Sequence, residues 1–191
     1  TLRAELGDGS WAEGESHIAQ RGRPIRRVQL VPADARALPE ALEALGRADV
    51  IVLGPGSLYT SLLPVLMVRE IGAALARTQA QVVLVLNLMW EPGETAGYRA
   101  STFLRVLREH VPGLGVDELL VNTTAPSRET LERYAAQGVG PVDVDPPAVH
   151  RLGSGVVGCD LLAAGPKIRH DPDKTARALV ALATCLCSSA A

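Results

Sequence analysis

Three stretches of the 191-residue sequence carry side chains and glycines suited to holding an anionic ligand. The first is Gly54-Pro55-Gly56-Ser57-Leu58-Tyr59-Thr60, which follows the apolar run Val50–Leu53. Gly54 and Gly56 present no side chain, so backbone N–H groups can face an anion closely, and Ser57 and Thr60 add hydroxyl donors. A helix starting here would turn the positive end of its dipole toward the same spot. The spacing is neither a Walker loop nor GxGxxG, and no Lys follows the glycines, which removes the usual case for nucleoside triphosphate hydrolysis. A glycine turn that merely rounds a corner is the plainer alternative.

The second stretch, Asn87 to Tyr98, begins where the apolar run Val82–Leu86 ends. Asn87 and Thr95 offer uncharged hydrogen-bonding groups, Glu91 and Glu94 can hold a cation or accept sugar hydroxyls, and Tyr98 can stack. Two carboxylates three residues apart also fit general acid–base work, but exposed Glu is most often simply solvated, so binding is favoured over catalysis. The third is Lys167-Ile168-Arg169-His170-Asp171. Lys167 and Arg169 can neutralise a diphosphate, Arg being the better bidentate partner, while Asp171 reads equally well as a helix cap. His17, His110 and His150 have no metal-ligand spacing to another His or Cys.

These groups need a scaffold, and the hydrophobic pattern predicts one. The runs Val50–Leu53 and Val82–Leu86 are apolar throughout rather than alternating, as parallel strands covered on both faces are, and a strand at Glu118–Val121 continues the pattern. Between and after them lie helical stretches at Leu62–Arg77, interrupted early by Pro64, then Gly97–His110 and Ser127–Gln137, and a last helix, Pro172–Leu186, capped by Asp171. Upstream, Thr1–Ser10 alternates and reaches Asp8-Gly9, a hairpin signal. Arg26–Pro32 reads as a strand and Leu38–Arg47 as a helix. A Pro-rich connection around Pro141–Pro147 leads into a Gly-rich apolar stretch, Leu152–Ala164. In parallel α/β sheets ligands bind at the carboxyl ends of the strands, where the first two stretches fall. The reading is one α/β domain over 1–191, with no repeat and no linker.

Composition narrows the partners. Nineteen Lys and Arg against 21 Asp and Glu give a net charge of -2 with no basic block, so polymeric nucleic acid is not expected. No apolar stretch approaches the roughly 20 residues that span a bilayer, and no leader pattern is visible. The three cysteines lack a disulfide or zinc pattern, which suits a reducing cytoplasm, and Cys185-Leu186-Cys187 reads as packing at a helix end.

Taken together, GPGSLYTSLLPVL at 54–66, NLMWEPGETAGY at 87–98 and KIRHDPDKTA at 167–176 resemble the YvcK-type gluconeogenesis factor family, within the superfamily of 2-phospho-L-lactate transferase, CofD. Gly14-Glu15-Ser16 with Ile18, and Arg133-Tyr134, match in the same order. The resemblance implies a Rossmann-like three-layer fold with a mostly parallel sheet and an N-terminal β-hairpin, in a cytoplasmic bacterial protein. It implies binding of a UDP-sugar such as UDP-N-acetylglucosamine, without an established reaction, and a role linking central carbon metabolism to cell-wall synthesis and cell shape. A homodimer is among the assemblies it allows.

Carried over by position, ligand contacts fall on Gly54, Gly56, Ser57 and Thr60, on Asn87, Gly93, Glu94, Thr95 and Tyr98, and on Tyr134 and Arg169. No catalytic residue or metal ligand is assigned. The sequence departs from the family where Trp90-Glu91 replaces a Thr-Gln-like pair and Ala96 replaces Asp. Family proteins also open with a strand and a GGGTG-type turn that no segment here supplies, so the expected domain lacks its first βα unit. A CofD-like phospholactyl transferase using Mg²⁺ is the alternative function, and a NAD-binding oxidoreductase the weaker second one, for want of GxGxxG.

Overall fold

In a computed structural model of the chain, residues 1–187 are described, with side chains to Thr184; the packing expected of Cys185 and Cys187 lies outside the described residues. Alternation along β1 (Leu2–Leu6) buries Leu2, Ala4 and Leu6 and turns Arg3 and Glu5 outward. The Asp8-Gly9 turn connects it to β2 (Trp11–Glu13), with the Asp8 carboxylate accepting from the Ser10 N–H and hydroxyl. After helix α1 (Glu15–Gln20), strand β3 (Ile25–Leu30) pairs on the other side of β1. The expected hairpin is thus part of an antiparallel three-stranded sheet of order β2-β1-β3.

Helix α2 (Pro39–Arg47) leads to β4 (Val50–Leu53), the glycine turn, a π-helical turn (Leu58–Leu62), α3 (Leu63–Leu66) and α4 (Arg69–Leu75). The single interrupted helix expected here is three short pieces. Pro64 is accommodated in the first turn of α3, where its missing N–H costs nothing, and the break falls after Leu66. Then follow β5 (Gln81–Val85), α5 (Ala100–His110), β6 (Glu118–Asn122), α6 (Arg128–Ala135), α7 (Pro146–Arg151), β7 (Gly155–Cys159) and α8 (Pro172–Cys187). Ser127 caps α6 through the Thr130 N–H, and Asp171 caps α8 through the N–H groups of Asp173 and Lys174. Helix α7 lies inside the connection that reads as Pro-rich, with Pro146 at its start.

Strands β4-β5-β6-β7 form a wholly parallel sheet in that order, Val50 opposite Gln81, Val83 opposite Glu118 and Glu118 opposite Gly155. The continuous apolar run of β5 is explained by its two faces. Val82 and Leu84 enter the main core with Phe103, Leu104 and Leu107 of α5, Val149 of α7, and the inward residues of β1 and β3. Val83 and Val85 face the other way, packing with Leu120 and Leu161 against Leu179 and Leu182 of α8. Helices therefore cover both faces, as expected of a Rossmann-like three-layer arrangement. Among the described residues no single helix is long and apolar enough to cross a membrane.

Candidate functional site

The crossovers from β4 and β5 deliver two loops side by side at the carboxyl edge of the sheet, because the strands that feed them are parallel neighbours. Gly54 makes the first turn at φ 83°, a backbone conformation that favours glycine, and a Cβ there would sit 3.4 Å from the Val85 carbonyl. The second loop is pinned by Thr95, fully buried, whose hydroxyl accepts from the Glu91 N–H at 2.9 Å. Trp90 donates its indole N–H to the Tyr98 carbonyl and its backbone N–H to the Gly140 carbonyl. Gly93, at φ 79°, packs so closely that a Cβ would lie 2.7 Å from the Cα of Gly22, which ties this loop to the segment between α1 and β3.

Hydroxyls of the first loop are engaged by carboxylates of the second. Ser57 donates to Glu91 Oε1 at 2.7 Å, and Thr60 donates to Glu94 Oε1 at 2.9 Å. Glu94 is almost wholly buried, and that burial pushes its carboxyl above the ordinary range, with Thr60 pulling the other way and Glu91 adding to the rise. The Tyr98 ring packs edge-on to Tyr59 and Phe103, and its hydroxyl meets that of Tyr59 at 2.9 Å. Burial, reinforced by Tyr98, holds the Tyr59 phenol well above its ordinary pKa.

The third stretch is brought over the sheet edge by a short hairpin, in which Ala163 donates to the Arg169 carbonyl and Asp171 to the Leu161 carbonyl. Helix α6 latches it from outside: the Ile168 N–H donates to the Tyr134 hydroxyl at 3.1 Å, and the Arg133 guanidinium donates to the Pro166 carbonyl. Tyr134 is therefore a positioning residue for the segment that carries Arg169.

All three stretches meet at one open cavity of about 340 Å³, whose walls include Gly56, Asn87, Glu91, Arg169 and His170. A second cavity, of about 240 Å³, adjoins it through the shared walls Asn87, Leu88, Met89 and Ile168, and continues to Leu131, Val142 and Val144 with Thr123 and Thr124 at its rim. Arg169 is exposed and has no ion-pair partner among the described residues. Gly56, Asn87 and Arg169, expected from the sequence, thus share one cavity. Ser57 stands one bond behind it on Glu91, and Gly54, Thr60, Gly93, Glu94, Thr95 and Tyr98 build the loops from within.

Of two further groups at the cavity, Glu91 reads from the sequence as a carboxylate able to hold a cation or accept sugar hydroxyls, whereas His170 does not stand out there. Glu91 Oε2 and His170 Nε2 are both buried and have no hydrogen-bond partner among the described residues. Burial pushes the His170 imidazole below its ordinary pKa, against the smaller raising effect of the Leu86 backbone. The available signal for His170 was its place in the RHD run before a capped helix, where Arg169 and Asp171 offered louder chemistry.

Glu94, the carboxylate considered for a transferase's Mg²⁺, is drawn into the loop packing, where it accepts from Thr60. Among the described residues no three His, Cys, Asp or Glu side chains converge, and Glu94 is pushed by burial toward its protonated form.

A wholly parallel sheet covered on both faces, with Gly-turned loops converging at its carboxyl edge, defines a protein of the open α/β class, the class in which ligands bind at that edge. Within that class, the chain belongs to the CofD family: the family model described as 2-phospho-L-lactate transferase CofD matches residues 1–162. It is 40% identical over 181 residues to the gluconeogenesis factor of Halalkalibacterium halodurans, covering 94% of this chain and 56% of that protein. To the gluconeogenesis factor of Bacillus subtilis it is 37% identical over 182 residues, covering 95% and 57%. A crystal structure of a UPF0052-family protein from Bacillus halodurans superposes with a TM-score of 0.88 at 39% identity, over 94% of this chain and 58% of that one. The chain spans a little over half the length of these relatives.

Proposed function

We propose that the cleft binds a nucleotide-sugar diphosphate of the UDP-N-acetylglucosamine type, and that the protein acts as a gluconeogenesis factor, a cytoplasmic regulator coupling central carbon metabolism to cell-wall synthesis and cell shape. The observation that carries this reading is the convergence of Gly56, Asn87 and Arg169 on one cavity, next to a second, largely apolar one. An unpaired arginine beside a glycine turn supplies the anion end, since guanidinium groups and free backbone N–H groups are the usual partners of phosphate. The adjoining cavity supplies room for a ring with apolar faces. The family's names support the setting: the relatives from Halalkalibacterium halodurans and Bacillus subtilis are gluconeogenesis factors.

Isothermal titration of the full-length protein with UDP-N-acetylglucosamine tests the reading. A saturable heat supports it, and no heat at millimolar ligand removes it. The family model's own description favours a second reading, transfer of a phospholactyl unit to an acceptor hydroxyl. A mass-spectrometric search for such a product, with and without Mg²⁺, separates transfer from binding alone.

A further inference from the structure

The cleft carries an anion of its own at the end that offers donors to anions. Glu91 lines the cavity together with Gly56, Asn87 and Arg169. Its Oε1 accepts from the Ser57 hydroxyl at 2.7 Å, and Ser57 itself is not among the cavity walls. The carboxylate therefore stands between the cavity and the hydroxyl that follows the glycine turn. A serine hydroxyl has one proton to donate, so a phosphate oxygen can take it only if Glu91 gives it up.

Two observations set this contact apart from a settled structural tie. Glu91 does not neutralise the cation of the same cavity, since Arg169 has no ion-pair partner among the described residues. The bond to Ser57 also leaves the carboxylate half satisfied, because Oε2 is buried and has no hydrogen-bond partner among the described residues. An unmet buried oxygen costs stability, so a Glu91 that swings out to water recovers hydration there and offsets the bond it loses.

We propose that Glu91 is a built-in competitor of the ligand's phosphates: its carboxylate holds the Ser57 hydroxyl until a phosphate displaces it and takes the hydroxyl over. This rests on the nucleotide-sugar reading and adds to it a device that sets affinity. The ligand binds only the arrangement in which Glu91 has withdrawn, so the apparent affinity is the intrinsic one reduced by the fraction of molecules so arranged. Two negative charges in one partly buried cleft also repel each other. Such weakening suits a regulator, whose site has to be part empty to report a metabolite's level. Other roles for the carboxylate act in the opposite direction: accepting donors from the ligand, or bridging to its phosphates through a cation, would strengthen binding.

The test is titration of the full-length protein, wild type and variants, with two probes, UDP-N-acetylglucosamine and inorganic pyrophosphate. Glu91→Gln keeps an oxygen that accepts from Ser57 but loses the charge, and an unfolding midpoint no lower than that of the wild type verifies that the loops stay paired. Both probes are expected to bind this variant about five- to twentyfold more tightly. Glu91→Ala, which removes the competitor altogether, is expected to shift affinity in the same direction. Adding Arg169→Ala to Glu91→Gln is expected to weaken pyrophosphate again, and an undiminished affinity there places the anion elsewhere and overturns the inference. It also fails if neither probe binds the Glu91 variants more tightly than the wild type. If pyrophosphate gains but UDP-N-acetylglucosamine binds no form of the protein, the competitor stands and the nucleotide-sugar reading fails.

Discussion

Both ends of the parallel sheet carry cavities, and the larger one is at the amino end. There a space of about 480 Å³ is walled by residues such as Thr78, Gln81, Val82 and Asp117. Its polar groups are mostly spent on the backbone: the Asp117 carboxylate accepts from the Val82 N–H at 2.7 Å, the Asp117 carbonyl accepts from Gly155, and the Thr78 hydroxyl accepts from the Ala80 N–H at 3.0 Å; at the same end of the sheet the Ser154 hydroxyl donates to the Val116 carbonyl at 2.6 Å. One buried acceptor there, Gln81 Oε1, lacks a partner. At the carboxyl end three buried polar atoms lack one among the described residues, Glu91 Oε2, Glu94 Oε2 and His170 Nε2, alongside Arg169, which has no ion-pair partner among them. The difference teaches that cavity size is a poor guide to function in this fold. Unspent hydrogen-bonding capacity is the better one, because buried polar atoms are nearly always paired and a cluster of unpaired ones calls for partners from outside the chain.

The comparison can be broken or sharpened at several depths. Leu120 sits in the middle of the sheet and is fully buried, so Leu120→Ala should lower stability by about 2–5 kcal/mol in a denaturant titration and weaken both ends together. A loss at one end alone would show that the sheet does not couple them. Arg169→Ala should weaken nucleotide-sugar binding by roughly 1.5–3 kcal/mol, the value of a charge-assisted contact, and leave the unfolding midpoint nearly unmoved. Unchanged affinity would take phosphate recognition away from this residue.

Ser154→Ala should do the reverse. It strands the Val116 carbonyl, so about 1–2 kcal/mol of stability should go while the affinity of the folded protein stays the same. If binding fell instead, the amino end would have a functional claim of its own.

The subtlest effect concerns Glu94. Burial raises its carboxyl pKa in the folded chain, so its contribution to stability is fully present below the ordinary carboxyl range and is lost as the pH rises through the raised value. Glu94→Gln, neutral at every pH, should therefore be more stable than the wild type at neutral pH, with the gap closing as the pH falls. A gap that widens on acidification would mean that the ionised carboxylate is the stabilising form.

The two sheets differ in how far local pattern foretold them. Strands β4, β5 and β6 and helix α5 fall within a few residues of the expected runs; for the central strands β5 and β6 the reason is that burial on both faces requires nearly continuous apolar residues. The hairpin turn was equally plain in Asp8-Gly9, and the cap of α8 in Asp171-Pro172. That β3 would join β1, with Ala4 opposite Val28, depended on pairing across more than twenty residues, for which no local signal exists. Helix α7 was hidden because two prolines read as a break, although proline suits a first helical turn.

At the cleft, residue types determined the chemistry on offer: glycines that bare the backbone, hydroxyls, carboxylates, and an arginine before a capped helix. Which of these face a ligand was decided by tertiary structure alone. Ser57 and Thr60 donate to Glu91 and Glu94 because two parallel strands place their loops in contact, and Tyr98 turns into the core because Tyr59 and Phe103 surround it. Arg169 reaches the cavity because Tyr134, 35 residues earlier in the sequence, holds the backbone at Ile168. A side chain's capacity to bond is local, but whether that capacity is already spent depends on neighbours that only folding supplies.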